Sequence, residues 1–485
     1  MRTLTKIDKS FLFLFAVSLL LSLLYCPPVD MFFDDKEIFR YIGRLIAHGG
    51  VPYRDVFDHK PPLIFFLNYF GYLLGPWGLW LIDTTLVMLA SLVFFGLCRR
   101  HRLPWPWLLP LLFNLLLRNN MVSLGIGMTR EYTAIFLVLF FCLLSGTSKY
   151  RYFWMGLLAA ATFFMQQDQF LTLLPFLLYA LFIGFPSVDG RNWLLTAAGA
   201  LALTLPVLFY FWINHSLSFF WEDAFQFNRS WYTEKIPFSV NYRATKEGLE
   251  RSACLMPLIL ATSLGVSALF LRNKKKLLIA AALLGVLFSF VTEYLSGKLV
   301  TGYPFYYYFQ PLSAALPVLV FIVWANTDEP FLRESRSQLL YGFLLCCLPL
   351  YNAIQHATHL PRHDLVSKLP EYQYLRSQRL SGHDLYVFGD NAWVYAYNEF
   401  DLFAPSRWIY HHFWAWYPQW DAGHQLLGSI ENDLLKSRTT WIVNYADDSF
   451  FKSDSARVIW LSFLNKYYRP VTVPGSTRQL LWQLK

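Results

Sequence analysis

Apolar residues in this chain are gathered into blocks of about 15 to 21, close to the roughly 20 that an α-helix needs to cross about 30 Å of hydrocarbon. The blocks fall near 11–26, 77–97, 104–118, 129–146, 153–167, 169–185, 193–213, 253–271, 277–295, 305–325 and 338–353. Only 15% of the 485 residues are charged, against about 25% in a soluble chain, and 55% are hydrophobic. The fold class expected is a polytopic α-helical membrane protein with about eleven transmembrane helices.

The connections fix an orientation. Arg99, Arg100 and Arg102, then Lys149 and Arg151, Arg191, the run Arg272 to Lys276, and Arg333 with Arg336 all fall on one side of an eleven-span chain. Lys6 and Lys9 join them. Basic connections stay in the cytoplasm, so that side is read as cytoplasmic. The outer face then receives 27–62, 214–252, 296–304 and everything after about 354. The expected location is the inner (plasma) membrane, multi-pass, with the N-terminus cytoplasmic. Read by location, the net charge of +9 gives no reason to expect nucleic acid as a partner. The stretch after Lys9 lacks a small-x-small cleavage site and reads as the first span rather than a removable signal. All six cysteines lie in or beside apolar segments, and neither a disulfide framework nor a CxxC metal site is supported.

Residues 1–354 form the expected transmembrane domain, with outer loops 27–62 and 214–252. Over 355–485 the period changes. Leu385–Gly389, Thr440–Asn444 and Tyr467–Val473 read as strands. Segments 424–437 and 454–466 carry helical spacing. A small extracytoplasmic α/β domain follows. It has no GxGxxG and no P-loop, and reads most simply as a lid or docking domain.

The densest polar run beside an apolar block is 30–63, DMFFDDKEIFRYIGRLIAHGGVPYRDVFDHKPPL. Charge at a bilayer surface must be solvated, paired or used. Ile38, Tyr41, Ile42, Leu45 and Ile46 make one helical stripe, which predicts a helix along the membrane surface. Asp34 or Asp35 can cap it and Gly49-Gly50 can end it. Pro52, Pro61 and Pro62 hold the following stretch extended. That returns Asp55, Asp58, His59 and Lys60 towards the helix start. Asp35 could be a helix cap and Lys60 an interfacial anchor. Alternatively, Asp35 takes a proton from an acceptor hydroxyl while cations hold a phosphate leaving group.

This run resembles the first outer loop of GT-C-fold membrane glycosyltransferases, the superfamily of protein mannosyltransferases and lipid A aminoarabinose transferases. It is especially similar to a bacterial branch of sugar transferases. The residues that carry the resemblance are Asp35, Phe39-Arg40-Tyr41-Ile42-Gly43 and Gly50-Val51-Pro52-Tyr53-Arg54-Asp55-Val56-Phe57-Asp58-His59-Lys60-Pro61-Pro62-Leu63. Arg130-Glu131-Tyr132 and Gly302-Tyr303 to Tyr308 are similar in position to an acidic-Tyr pair and an aromatic entry in relatives. Lys36 departs from the Asp-Glu pair of many relatives, and Phe305 from a common His.

The resemblance implies transfer from a polyprenyl-phosphate-linked sugar donor to a glycan, lipid or protein acceptor of the cell envelope, with inversion and on the outer face. It implies Asp35 as the base, with Asp58 and Glu131 as further carboxylates of the site. Lys60, Arg54 and Arg130 become candidates for the phosphate, and Tyr53, His59 and Tyr306 for substrate contact. The resemblance implies no cofactor firmly; a divalent metal is an open alternative, which Lys36 beside Asp35 weighs against. A lipid-linked glycan transporter or flippase, and a glycan polymerase or ligase, are the rival readings. Asp83, inside a span, is expected to pair with a neighbouring helix. His356, His359 and His363, the tyrosines at 306–308 and the Trp-rich 408–420 read as membrane-adjacent loop and aromatic belt rather than as metal or sugar sites.

Overall fold

Asp8 caps the first helix, its carboxylate accepting the N–H of Ser10 at 2.9 Å, and α1 runs Lys9–Leu23. The computed structural model describes residues 8–29, 34–118, 126–183, 190–230, 238–251, 253–271, 275–295, 306–358, 366–409, 411, 421, 424–446, 450–451, 454–476 and 480–485. Helices follow in the order α2 (Asp34–Ala47), α3 (Leu63–Leu73), α4 (Gly78–Arg100), α5 (Leu108–Leu117), α6 (Thr129–Leu144), α7 (Arg151–Met165), α8 (Phe170–Leu178), α9 (Gly190–Ile213), α10 (Phe238–Arg251), α11 (Leu255–Phe270), α12 (Lys276–Leu295), α13 (Leu312–Asn326) and α14 (Ser335–Ala357). Each of the eleven apolar segments overlaps one of these helices. Among the described residues, α4, α9 and α14 are long and apolar enough to cross a membrane, and the other apolar helices are shorter.

Helix α13 is the centre of the bundle, with every residue from Leu312 to Trp324 buried. By contrast α9 presents Leu194, Leu201, Leu205, Phe209 and Trp212 outward. So large an exposed apolar face suits lipid rather than water. On its other side α9 meets α7 backbone to backbone. A Cβ at Gly199 would fall 1.8 Å from the Phe153 carbonyl oxygen, and one at Gly156 1.9 Å from that of Thr196. Small residues permit this close approach, which van der Waals packing then rewards.

Helix α3 was not anticipated. Its eleven residues span about 16 Å, half of a bilayer. Two long-range contacts define one face of the bundle. Arg99 at the end of α4 pairs with Asp8 at 3.1 Å, and the Trp105 indole N–H donates to the Ser335 carbonyl at 3.0 Å. These ends belong to the connections rich in Lys and Arg.

The C-terminal part begins with α15 (Pro370–Arg376). It continues through β1 (Leu385–Phe388), α16 (Val394–Glu399), α17 (Gln425–Ser437), β2 (Trp441–Asn444), α18 (Asp454–Tyr467), β3 (Tyr468–Val471) and β4 (Leu481–Leu484). The sheet order is β1-β2-β4-β3, with β1 and β2 parallel and the other pairs antiparallel. Three strands and two helices stand where the sequence places them; β4 is additional. The layer is filled by aromatics, Phe388 lying 4.4 Å from Trp460, whose indole N–H reaches the Asn444 side-chain oxygen at 3.0 Å.

This part of the chain grips α2. Arg44 pairs with Asp401 at 2.5 Å and donates to the carbonyls of Tyr397 and Leu402. The Asn398 amide donates to both the main-chain and side-chain oxygens of Glu37 at 3.0 and 2.9 Å. The Tyr41 hydroxyl accepts the Ala404 N–H at 3.0 Å. The opposite flank presses on α3, where a Cβ at Gly43 would lie 2.6 Å from the Asn68 backbone. The expected surface helix is therefore clasped between two partners. Its apolar stripe, with Ile38, Tyr41 and Ile42 fully buried, packs against protein.

Candidate active site

Asp35 sits inside the first turn of α2 rather than at its cap, and is 8% exposed. Gly49 ends the helix at φ +86°, and the Gly50 N–H reaches back to the Leu45 carbonyl at 2.9 Å. The chain then returns through Tyr53, a non-glycine residue held at φ 68°. Such a backbone costs of order 1–3 kcal/mol and persists only where packing enforces it. Here the Tyr53 ring is enclosed by Phe65, Phe211 and Phe220, and its hydroxyl donates to the Lys60 carbonyl at 2.7 Å.

That turn delivers Lys60 to Asp35, with Nζ 3.5 Å from a carboxylate oxygen and both side chains nearly buried. The ammonium also lies 5.7 Å from the Phe39 ring centroid. Asp58 approaches the lysine from its backbone side, accepting the Lys60 N–H at 2.8 Å, and stands 3.8 Å from His59 Nδ1. Burial pushes the Asp58 carboxyl up to about 6; Lys60 and neighbouring N–H groups pull it down, and Asp35 adds to the rise. His59 is fixed through its carbonyl, which accepts the Asn228 amide at 2.7 Å. Residues 35, 53, 58, 59 and 60 thus form one constellation.

The other expected residues sit elsewhere. Arg54 forms a two-point pair with Asp55 at 2.8 and 2.7 Å and donates to the Asn214 carbonyl. Glu131 is engaged by Arg118 through one oxygen and by the Gly127 N–H through the other at 2.9 Å. Arg118 also binds Asp83, so two carboxylates share one guanidinium, all three fully buried. Asp83 thus pairs across helices as expected. Lys36, on the next position of α2, senses Glu131, Asp83 and Glu37, yet its own burial dominates and lowers its ammonium to about 7. Arg130 lies over the Tyr308 ring at 4.0 Å and pairs with Asp168 at 3.2 Å. The side chain of Tyr306 lies outside the described residues, as do His359, His363 and most of 408–420. His356, at the end of α14, is buried against the Tyr25 ring at 5.1 Å. Among the described residues no group of three His, Cys, Asp or Glu side chains could hold a metal ion.

Two positions not singled out from the sequence complete the surroundings. Asp223, in a helical run over 217–230, pairs with Arg407 from the C-terminal part. Burial raises the Asp223 carboxyl to about 7 against the pull of Arg407. The Arg407 carbonyl accepts the Phe57 N–H at 2.8 Å, next to Asp58. No local pattern marks either residue, because each acquires its role through pairing at long range.

The crystal structure of ArnT from Cupriavidus metallidurans bound to undecaprenyl phosphate matches this arrangement along almost its entire length. It is 14% identical, covers 97% of each chain, and has a TM-score of 0.63. This chain has the GT-C fold. The apo form of the same ArnT matches equally, at 13% identity, 97% coverage of each chain and a TM-score of 0.62. The archaeal oligosaccharyltransferase of Archaeoglobus fulgidus is more distant, at 13% identity and a TM-score of 0.46 over 95% of this chain and 73% of that one. No family model matches the sequence, and no curated protein matches it. The Asp35–Lys60 pair lies between the first two apolar segments, on a stretch that the C-terminal part contacts at Glu37 and Phe57.

Proposed function

We propose that the chain is a membrane glycosyltransferase that moves a sugar from a polyprenyl-phosphate-linked donor to a cell-envelope acceptor, with inversion at the anomeric carbon. The observation that carries this reading is the buried Asp35–Lys60 pair at 3.5 Å, in a fold shared with a protein that binds undecaprenyl phosphate. In the reaction, an acceptor hydroxyl attacks the anomeric carbon and gives its proton to Asp35. The bond from that carbon to the phosphate oxygen breaks, and polyprenyl phosphate departs with the electron pair. Lys60 supplies the charge that steadies the leaving phosphate. Asp58 fixes the Lys60 backbone. Glu131, with both oxygens engaged, positions helices rather than substrate, and Arg130 orders the 306–309 turn through Tyr308. The site lies on the outer face of an eleven-span chain whose N-terminus is cytoplasmic.

The test uses the purified chain with a panel of polyprenyl-phosphate sugars and a membrane extract as acceptor. Turnover should be seen for the wild type and fall about a hundredfold or more in Asp35→Asn, as the loss of a positioned base usually costs. Near-normal turnover in a folded Asp35→Asn would remove the base role. No turnover of any donor by the wild type would sink the transfer reading.

A further inference from the structure

An apolar groove of about 620 Å³ lies along the second half of α9, lined by Leu205, Pro206, Leu208, Phe209, Trp212 and, beyond the helix end, Leu217. From Leu205 to Trp212 the helix rises about 10.5 Å, within the roughly 15 Å of hydrocarbon in one leaflet. Apart from the Trp212 indole N–H, no lining side chain carries a polar group. A hydrocarbon chain is what such a lining fits.

The groove ends at a pair of opposite charges. Asn214 stands between Trp212 and Leu217 in the chain, and its carbonyl accepts Arg54 Nη1 at 3.2 Å. Arg54 holds Asp55 through Nε and Nη2 at 2.8 and 2.7 Å. The two side chains are 38% and 34% exposed, so both can meet a ligand at the end of α9. Their pairing does not exhaust them. A guanidinium has five N–H groups; three are used here, and Nη1 and Nη2 each keep one. Asp55 Oδ2 accepts both Arg54 and the Val51 N–H at 2.8 Å, whereas Oδ1, among the described residues, accepts Arg54 alone. A phosphate can therefore join the guanidinium, and a cationic donor the carboxylate, with the pair intact. One charge of each sign at the end of a hydrocarbon groove is the complement of a zwitterionic headgroup on an acyl chain. The carboxylate also selects the cation. A primary ammonium donates hydrogen bonds to it, and a trimethylammonium has no N–H to give. A headgroup with net negative charge leaves Asp55 unmatched.

We propose that the groove and the Arg54–Asp55 pair form a site for one phosphatidylethanolamine molecule, with an acyl chain along α9, the phosphate on Arg54 and the ammonium on Asp55. The lipid then fastens the turn at residues 51–55 to the end of α9. The inference does not depend on the transfer reading.

The experiment is native mass spectrometry of the purified, delipidated full chain, titrated with phosphatidylethanolamine, phosphatidylcholine and phosphatidylglycerol of identical acyl chains. The first ethanolamine lipid should bind about fivefold more tightly than either of the others, the top of the range for a partly exposed charge pair. Asp55→Asn should bring it down to the choline lipid, and Arg54→Ala should weaken both. Independently, a phosphatidylethanolamine with a diazirine in its acyl chain should mark residues 205–217 of the unaltered chain. That mark should fall in the double variant Phe209→Ala, Leu217→Ala, whose side chains are exposed, so that thermal melting should match the wild type. Equal binding of the three lipids overturns the proposal, as does preference for phosphatidylglycerol or a mark confined to other residues. Loss of the mark on adding undecaprenyl phosphate also overturns it, by assigning the groove to a polyprenyl chain.

Discussion

The backbone N–H of Phe57 donates to the carbonyl of Arg407 at 2.8 Å, and so ties the residue before Asp58 to the C-terminal part of the chain. The side chain of the same arginine pairs with Asp223 and lies over Trp408 at 4.8 Å and Phe219 at 5.0 Å. Three stretches far apart in sequence therefore meet on one residue. The C-terminal part acts as a brace for the loop that carries Asp58 and Lys60.

That brace should have a pH signature. The Asp223 carboxyl is raised from 3.8 to about 7, so the folded chain holds this proton more tightly than the unfolded one does. Its contribution to stability is therefore largest at low pH and is lost as the pH climbs from about 4 through 7. Arg407→Ala removes the group that pulls the value down, so the loss extends to higher pH. The variant should melt close to the wild type at pH 5 and be destabilised by up to about 3 kcal/mol at pH 8.5, the low end for breaking a buried pair. Arg407→Ala combined with Asp223→Asn should flatten the difference. Thermal unfolding in detergent across that range measures it, and a pH-independent deficit would contradict the account.

The two cations of the first loop should behave differently. Lys60 faces Asp35, whereas Arg54 is held by Asp55 and the Asn214 carbonyl. Lys60→Ala should weaken donor binding by roughly 1.5–3 kcal/mol, the range for hydrogen bonds to charged groups. Arg54→Ala should change it by less than about 0.5 kcal/mol, as for an ordinary surface substitution. Equal losses in the two variants would mean that Arg54 swings onto the phosphate when donor binds.

Much of this arrangement is legible in the sequence, for identifiable reasons. Apolar blocks announce helices because their length is set by a solvent, and the stripe from Ile38 to Ile46 announces α2 because helical period is local. The return of Lys60 to Asp35 follows from proline stiffness and the glycine stop. Helix α3 escaped because eleven residues are too few for a span, and β4 because four residues at the chain end carry no period. Asp168, Asp223, Asn398 and Arg407 are invisible for a deeper reason. Each is an ordinary polar residue locally, and only tertiary pairing gives it a role. The apolar stripe of α2 misled in one respect: it reads the same whether its cover is lipid or protein, and here the cover is protein.

Orientation is open to direct measurement. Ser381 is exposed at the tip of the turn before β1. The eleven-span reading puts it outside. With the native cysteines replaced, Ser381→Cys should react with an impermeant thiol reagent in intact spheroplasts. Labelling that appears only after membrane rupture would invert the topology and move the Asp35 site to the cytoplasmic face.

The last expectation concerns Arg118, fully buried between Asp83 and Glu131. Removing one member of a buried ion group strands the others, at about 3–5 kcal/mol, whereas replacing the whole group by apolar residues of similar volume is often neutral. Arg118→Met alone should therefore melt early or fail to purify. The triple variant Asp83→Leu, Arg118→Met, Glu131→Leu should recover most of the stability. Lys36 would lose two favourable carboxylates in that background, but its ammonium already sits at about 7 and can shed its proton. The triple variant also separates architecture from chemistry. Because both Glu131 oxygens are engaged by protein groups, donor turnover in the folded triple variant should stay within about tenfold of the wild type, a change of about 1.4 kcal/mol in the barrier. A folded triple variant with turnover as low as that of Asp35→Asn would return Glu131 to the reaction centre.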